Sequence, residues 1–484
     1  MTSETRAPRL HPLIMALFNE EAERQHPVFS KIWLLLWFVL GGALWGKFLN
    51  WGNIPFDFHD WAEINAPRFA FLRDAVIKGL LPLHMPDGSA LRNLTDRFMA
   101  LPDVFLSPQV LLMRFLEVGP FVLVNTLIVY TLGVWGLWSL KKRFRLSPVV
   151  FAFLFLLFNF NGHILAHTSV GHITWGGYYL TPWFFVLIFR LLDGDQRWLW
   201  SVEVALFLFL TFLQGSFHQF VWECMFLGLL GLADWKHWLP LLKALTFTGL
   251  FSMVRFLPPT LLLGQFDTDF YGGYRLPWQL LEAMVKQVTP ATSKPFVNFG
   301  SNLGYWEFDL YVGWAGLLFI VVGLFLWFKP QISTRRFSPL LLPMIVLTLF
   351  SIRDIYLPFA HIPIPLLNAE RVTSRMAILP FTLAMVLASA AVQAWLNRAK
   401  FHLLVYTGSF LGLIYLSADL TRRALQWQVV EAFQQFPTTP VNLAIKVVSN
   451  HPDLPYTNLL TWGTIVSLAG LGMAVFFVWR ESSK

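Results

Sequence analysis

The chain has one cysteine, Cys224, in 484 residues. No intramolecular disulfide can form, and no cysteine-based metal site can be built. Charge is also scarce. Only 13% of the residues are Asp, Glu, Lys or Arg, against about 25% in soluble domains. That shortfall excludes an ordinary soluble protein. Several sequence signatures are missing as well: there is no GxGxxG run, no Walker loop, no HExxH, and no GxSxG in a strand–turn–helix context. No internal repeat of clear period is found. Glu20, Glu21 and Glu23 lie near the start, and no small-residue cleavage site follows the first apolar run, so no cleaved signal peptide is expected.

What the chain has is apolar and aromatic. Hydrophobic residues make up 56%, with 48 Phe and 22 Trp. Apolar windows predict about twelve membrane helices, near 32–50, 120–140, 147–162, 174–192, 198–214, 217–233, 239–257, 310–328, 338–352, 376–396, 401–418 and 459–479. The expected fold is an all-α polytopic membrane bundle. The short loops carrying Lys141 to Arg145, Arg190 and Arg197, Lys236, Lys329 to Arg336, Arg398 and Lys400, and the end with Arg480 and Lys484, all fall on one side. This is the positive-inside pattern, and it predicts cytoplasmic termini. The expected organisation is a cytoplasmic segment 1–31, one transmembrane domain 32–480, and a tail 481–484. The net charge of +8 fits this loop asymmetry and does not point to nucleic acid.

Four longer segments then face outside: 51–119, 258–309, 353–375 and 419–458. They hold most of the acidic residues, including Asp57, Asp60, Asp267, Asp269, Glu307 and Glu370, together with Arg92 and Arg97. Aromatics and Pro dominate them, so they read as ordered, and chemistry or binding is expected there. Within the first, Trp61 to Lys78 reads as an interfacial helix. Pro67 lies at its regular start and Gly79 at its C-cap. Val104 to Glu117 reads as a second such helix.

Four groups are candidates for function. Asp57 and Asp60 could take a proton from an acceptor hydroxyl or hold a cation. The competing reading is structural, because Asp60-Trp-Ala-Glu63 has capping-box spacing. Arg371 and Arg375, four apart, would share a helical face and could grip a phosphate; the alternative is Arg snorkelling to lipid headgroups. His163 and His167 have metal-ligand spacing on a helix, with His172 expected to point the opposite way. Hydrogen bonding by these histidines is the alternative. Finally, Trp306, Glu307 and Asp309, within Gly300 to Gly313, suit sugar recognition or an interfacial aromatic belt.

Taken together, several short runs resemble the GT-C superfamily of multi-spanning membrane glycosyltransferases, of the bacterial polyprenyl-phosphate-sugar-dependent type. The matching residues are Asp60, Pro67, Gly79, Pro82, Leu83 and Pro86; then Gly171-His172 before Leu180-Thr-Pro182; then Tyr311-Val-Gly313; then Arg371-Val-Thr-Ser-Arg375. The chain departs from the pattern in two ways: Asn65 after the acid, and His84-Met85 where a Trp-Asn pair is usual. The resemblance implies a hexosyl or pentosyl transferase of the cell envelope, in a bacterial inner membrane. It would move sugar from a polyprenyl-phosphate donor to an acceptor glycan, lipid or protein on the external face. Asp60, with Asp57 second, would be the catalytic base. Arg371 and Arg375 would hold the donor phosphate, and His172, Glu307, Trp306 and His163 would contact substrate. No cofactor is implied beyond a divalent cation, which the acidic residue of the first loop helps hold in some members. The alternatives are a non-catalytic membrane subunit and a transporter of lipid-linked intermediates.

Overall fold

The computed structural model describes residues 12–86, 95–262, 271–293, 303–329, 335–360, 362, 370–398, 402–446 and 451–483. Arg92, Asp267, Asp269, Gly300, Lys400 and Lys484 lie outside them. The described residues are largely helical and contain no strand longer than an isolated bridge.

A helix stands at each expected span, but not every helix is long enough to cross. Six are long and apolar enough: Pro27–Phe48, Val118–Phe144, Pro148–Ser169, Thr373–Leu396, Leu403–Gln426 and Leu454–Ser482. A bent pair, Trp235–Phe251 with Met253–Leu262, makes seven if taken as one span. The expected count of about twelve therefore exceeds what length supports. Trp198–Leu213, Phe217–Ala233, Gly313–Trp327 and Phe337–Phe350 are apolar but have only 10–17 residues. At about 1.5 Å per residue they fall short of a hydrocarbon core about 30 Å thick. Gly215 and Ser216 separate two of these short helices, Trp198–Leu213 and Phe217–Ala233.

Two spans form the centre. Pro148–Ser169 and Thr373–Leu396 are almost wholly buried, whereas Pro27–Phe48, Leu403–Gln426 and Leu454–Ser482 expose most of their length. The exposed faces carry Leu, Ile, Val and Phe, as lipid contact requires. Without a hydrophobic drive between helices in lipid, close packing needs small residues. At Gly323 a methyl group would come within 2.5 Å of the Ala388 Cβ, so these two positions let helix Gly313–Trp327 press against the central span.

The loops segregate to two ends. At one end Arg143 pairs with Asp193 at 2.7 Å, Ser147 donates its N–H to Gln393, and Trp198 donates its N–H to Glu481. These are the loops with the one-sided Lys and Arg pattern. At the other end the four longer segments pack on one another. Phe58 pairs with Thr438, and Gly272 with Val372. Arg255 donates to the carbonyls of Met99, Leu101 and Pro102. The functional candidates all lie at this second end.

Candidate functional site

The first long segment enters the site through an unusual backbone. His59 has φ +44°, a left-handed conformation that is rare outside glycine. A single π turn follows at Trp61–Asn65, and regular helix begins only at Ala66–Lys78, which ends at Gly79 with φ +66°. π turns are rare and cluster at functional sites. Asp60 makes no side-chain capping bond to this turn. The capping-box reading therefore fails, and the carboxylate is directed elsewhere.

It meets His172. The Asp60 Oδ2 lies 2.9 Å from His172 Nε2, and His59 Nδ1 is 3.5 Å from Oδ1. The expectation that His172 points away from His167 is corrected here. Helix Gly162–Ser169 ends and the chain reverses at Gly171, with φ +99°. His172 folds back so that its Nδ1 sits 2.7 Å from His167 Nδ1, and its N–H reaches the His167 carbonyl. Only glycine suits this turn, since a Cβ at 171 would lie 2.5 Å from the Trp61 nitrogen. Asn65 and Trp61 seal the junction by donating to the Gly171 and Ser169 carbonyls.

Glu307 and Arg375 form the next layer. Arg375 Nε and Nη2 each lie 2.6 Å from a Glu307 oxygen, a two-point pair, and the guanidinium lies 5.3 Å from the Trp175 ring centroid. Burial opposes ionisation of Glu307, but the Arg375 charge and hydrogen bonds outweigh it and hold this carboxyl below its ordinary value. His167 Nε2 is 4.0 Å from Glu307. A continuous row of polar groups thus runs from Asp60 through His172 and His167 to Glu307 and Arg375.

Arg371 and Arg375 do not share a helical face. The local element is a tight turn, Thr373–Ala377, which starts after Arg371. Arg371 is exposed, and its carbonyl accepts the Gly272 N–H. Arg375 is turned inward. Trp306 packs edge-on against His59 at 4.7 Å, and His163 packs against His167 and Trp175. Asp57 uses its backbone carbonyl to accept Thr439 N–H, which ties the first segment to the last. Asp309 lies apart from the row and pairs with Arg423. Val104 to Glu117 is a short tight helix only at Pro108–Arg114.

Several site residues were not singled out in the sequence. Trp175 stacks between His167 and His218, and His218 Nδ1 lies 2.9 Å from the buried Glu370. His59, adjacent to Asp60, was the available signal. His218 and Trp175 had none, because only tertiary packing assembles them. A groove of about 530 Å³ opens nearby, with Arg422, Glu431, Gln426, Gln435 and Thr289 on its walls. Its wall helix Val429–Gln435 leads into Phe436, which packs on Trp306 and His59.

His59, Asp60 and His172 offer ligand atoms within 4.8 Å of one another, as do His167, His172 and Glu307. This nitrogen and oxygen set fits a divalent cation. The first trio fits better, because Arg375 already occupies both Glu307 oxygens. In comparison with known proteins, the chain matches no protein-family model, no curated protein and no solved structure.

Proposed function

We propose that the protein is a membrane glycosyltransferase with a GT-C-like bundle, using a polyprenyl-phosphate sugar at the loop-rich end. One observation carries this reading. Asp60 and Gly171-His172, two runs that resemble the superfamily and lie more than a hundred residues apart, meet through the 2.9 Å contact of Asp60 and His172. The turn of a third run, bearing Arg375, joins the same row. In this reading the shorter apolar helices also cross, the bilayer thinning locally to meet their length, in a bundle of about twelve spans, and the loop-rich end faces out of a bacterial inner membrane.

Asp60 accepts the proton of the acceptor hydroxyl, and His172 fixes its orientation and shares its charge. The acceptor oxygen attacks the anomeric carbon as the bond to the donor phosphate breaks. The anomeric centre inverts and polyprenyl phosphate leaves. Arg371, exposed, meets the phosphate. Arg375 holds Glu307 and so positions the histidine row. The groove, apolar over most of its lining, holds the acceptor sugar through Arg422, Gln426, Glu431 and Gln435. A divalent cation at His59, Asp60 and His172 would add positive charge beside the attacked centre.

A transporter would need a polar path at membrane depth. One small cavity bordered by Glu223, Gln219 and Thr382 has about 10 Å³, room for a single water. The decisive test is transfer from labelled polyprenyl-phosphate sugars by purified protein. Release of polyprenyl phosphate that is abolished by Asp60→Asn supports the reading. Turnover that is absent across pentose and hexose donors in the wild type sinks it.

A further inference from the structure

A second cluster of metal-binding side chains lies outside the Asp60 site. His84, Asp96 and His451 each present one ligand atom, and the three atoms lie within 4.8 Å of one another. His451 Nε2 is 3.4 Å from Asp96 Oδ2. That is long for a charge-assisted hydrogen bond. It matches the edge of a tetrahedron around zinc, about 3.3 Å for bonds near 2.0 Å. The two imidazole rings are neighbours, tilted by 39° with 4.0 Å between centroids, so each can present a nitrogen to the space beside Asp96.

His84 and Asp96 lie at an isolated antiparallel bridge: His84 pairs with Arg97, Met85 N–H meets the Asp96 carbonyl at 2.7 Å, and Phe98 N–H meets the Leu83 carbonyl at 2.9 Å. His451 stands just before the last helix, Leu454–Ser482, whose N-cap is Asp453. Tyr456 ties that helix to this bridge, its hydroxyl accepting the Met99 N–H at 2.7 Å. Asp453 adds an outer carboxylate. Its Oδ2 lies 3.3 Å from His84 Nε2 and 2.7 Å from Arg97 Nε. Arg97 thus neutralises Asp453, which is placed to orient His84 as carboxylates orient ligand histidines.

We propose that His84, Asp96 and His451 form a zinc site that clips the first long segment to the base of the last helix, with Asp453 orienting His84. The donor set is two imidazoles and one carboxylate, and water completes the tetrahedron. His84 stands where the superfamily run usually has Trp, so the site is a feature of this chain and does not depend on the glycosyltransferase reading.

The test uses full-length protein in detergent, stripped with chelator and titrated with Co²⁺, whose visible absorption reports tetrahedral nitrogen and oxygen ligation; zinc content is measured in parallel. Wild type should bind the ion with a tetrahedral spectrum. His451→Ala should weaken this at least tenfold. His451 is 57% exposed, so the variant should fold. Asp453→Asn should weaken binding 10- to 100-fold, as outer partners do. His172→Ala should leave the signal in place. Unchanged binding in His451→Ala overturns the proposal, as does a signal abolished by His172→Ala alone. Absence of any tetrahedral signal in a large excess of Co²⁺ overturns it as well.

Discussion

Asp60 is held between a left-handed His59 and a π turn, and its carboxylate serves His172 and not the helix that follows. Asp60→Asn is therefore expected to remove sugar transfer by a hundredfold or more, the usual worth of a general base being about 10²–10⁴. Insertion, folding and donor binding should persist, because no cap is lost. Transfer at wild-type rate would reject the base assignment. Gly171→Ala should act on the same dyad from behind. The new methyl meets the Trp61 nitrogen and the backbone is strained at φ +99°, so His172 must shift, and both transfer and melting temperature should fall. The two arginines should separate. Arg371→Lys should weaken donor binding with little change in melting temperature. Arg375→Lys should lower the melting temperature, because lysine cannot make the two-point contact with Glu307. Equal effects on donor affinity would restore the shared clamp that their spacing suggested. Asp60 and His172 were legible in sequence because each sits in a short recognisable run. Their contact was not, since it depends on the φ of one glycine.

At the level of elements, the Glu307–Arg375 pair locks the Thr373–Ala377 turn to the short Tyr305–Glu307 turn. The lock is strengthened by Ser374, whose hydroxyl donates to the Glu307 carbonyl at 2.6 Å. Glu307→Ala leaves a buried guanidinium without its partner and should cost about 3–5 kcal/mol, read as a fall in melting temperature. Replacing both partners together with apolar residues should recover much of that loss. The pair also sets a pH dependence. The folded-state pKa of Glu307 lies below its ordinary value of 4.5, so the unfolded chain takes up the proton first as pH falls. Its stabilisation is complete above about pH 5 and fades as pH drops through the folded-state value. Melting temperature should fall on acidification below pH 5, and less steeply in Glu307→Gln. An identical slope in the variant would remove Glu307 as the cause. Helix positions were legible because lipid-facing helices read as apolar runs. Helix lengths were not, because local breaks such as the one at Gly215 divide those runs. The tight turn at 373–377 was invisible for a related reason: four-residue spacing implies a shared face only where the backbone is α-helical.

Across the whole molecule, two ends separate, one built from short basic loops and the other from the long acidic and aromatic segments. The sequence predicts this partition from Lys and Arg placement alone; among the described residues Lys141 pairs with Glu23 and Arg143 with Asp193 in the basic loops, while Phe58 meets Thr438 and Gly272 meets Val372 in the long segments. Which end faces the cytoplasm is a further step. Positive-inside loops place the basic end there, since Lys and Arg near helix ends resist translocation. The single cysteine makes this directly measurable. In a Cys224→Ser background, Lys142→Cys and Lys236→Cys lie at the basic end, whereas Arg275→Cys and Lys446→Cys lie at the other, and all four positions are exposed. A membrane-impermeant maleimide added to intact cells should label the last two and spare the first two until the membrane is opened. The reverse pattern would put the Asp60 row in the cytoplasm. That would end the proposal of an external polyprenyl-phosphate donor, because the donor phosphate must lie in the same leaflet as the base. Labelling of all four from one side would overturn the two-ended topology itself, and with it the reading of the central spans as crossing helices.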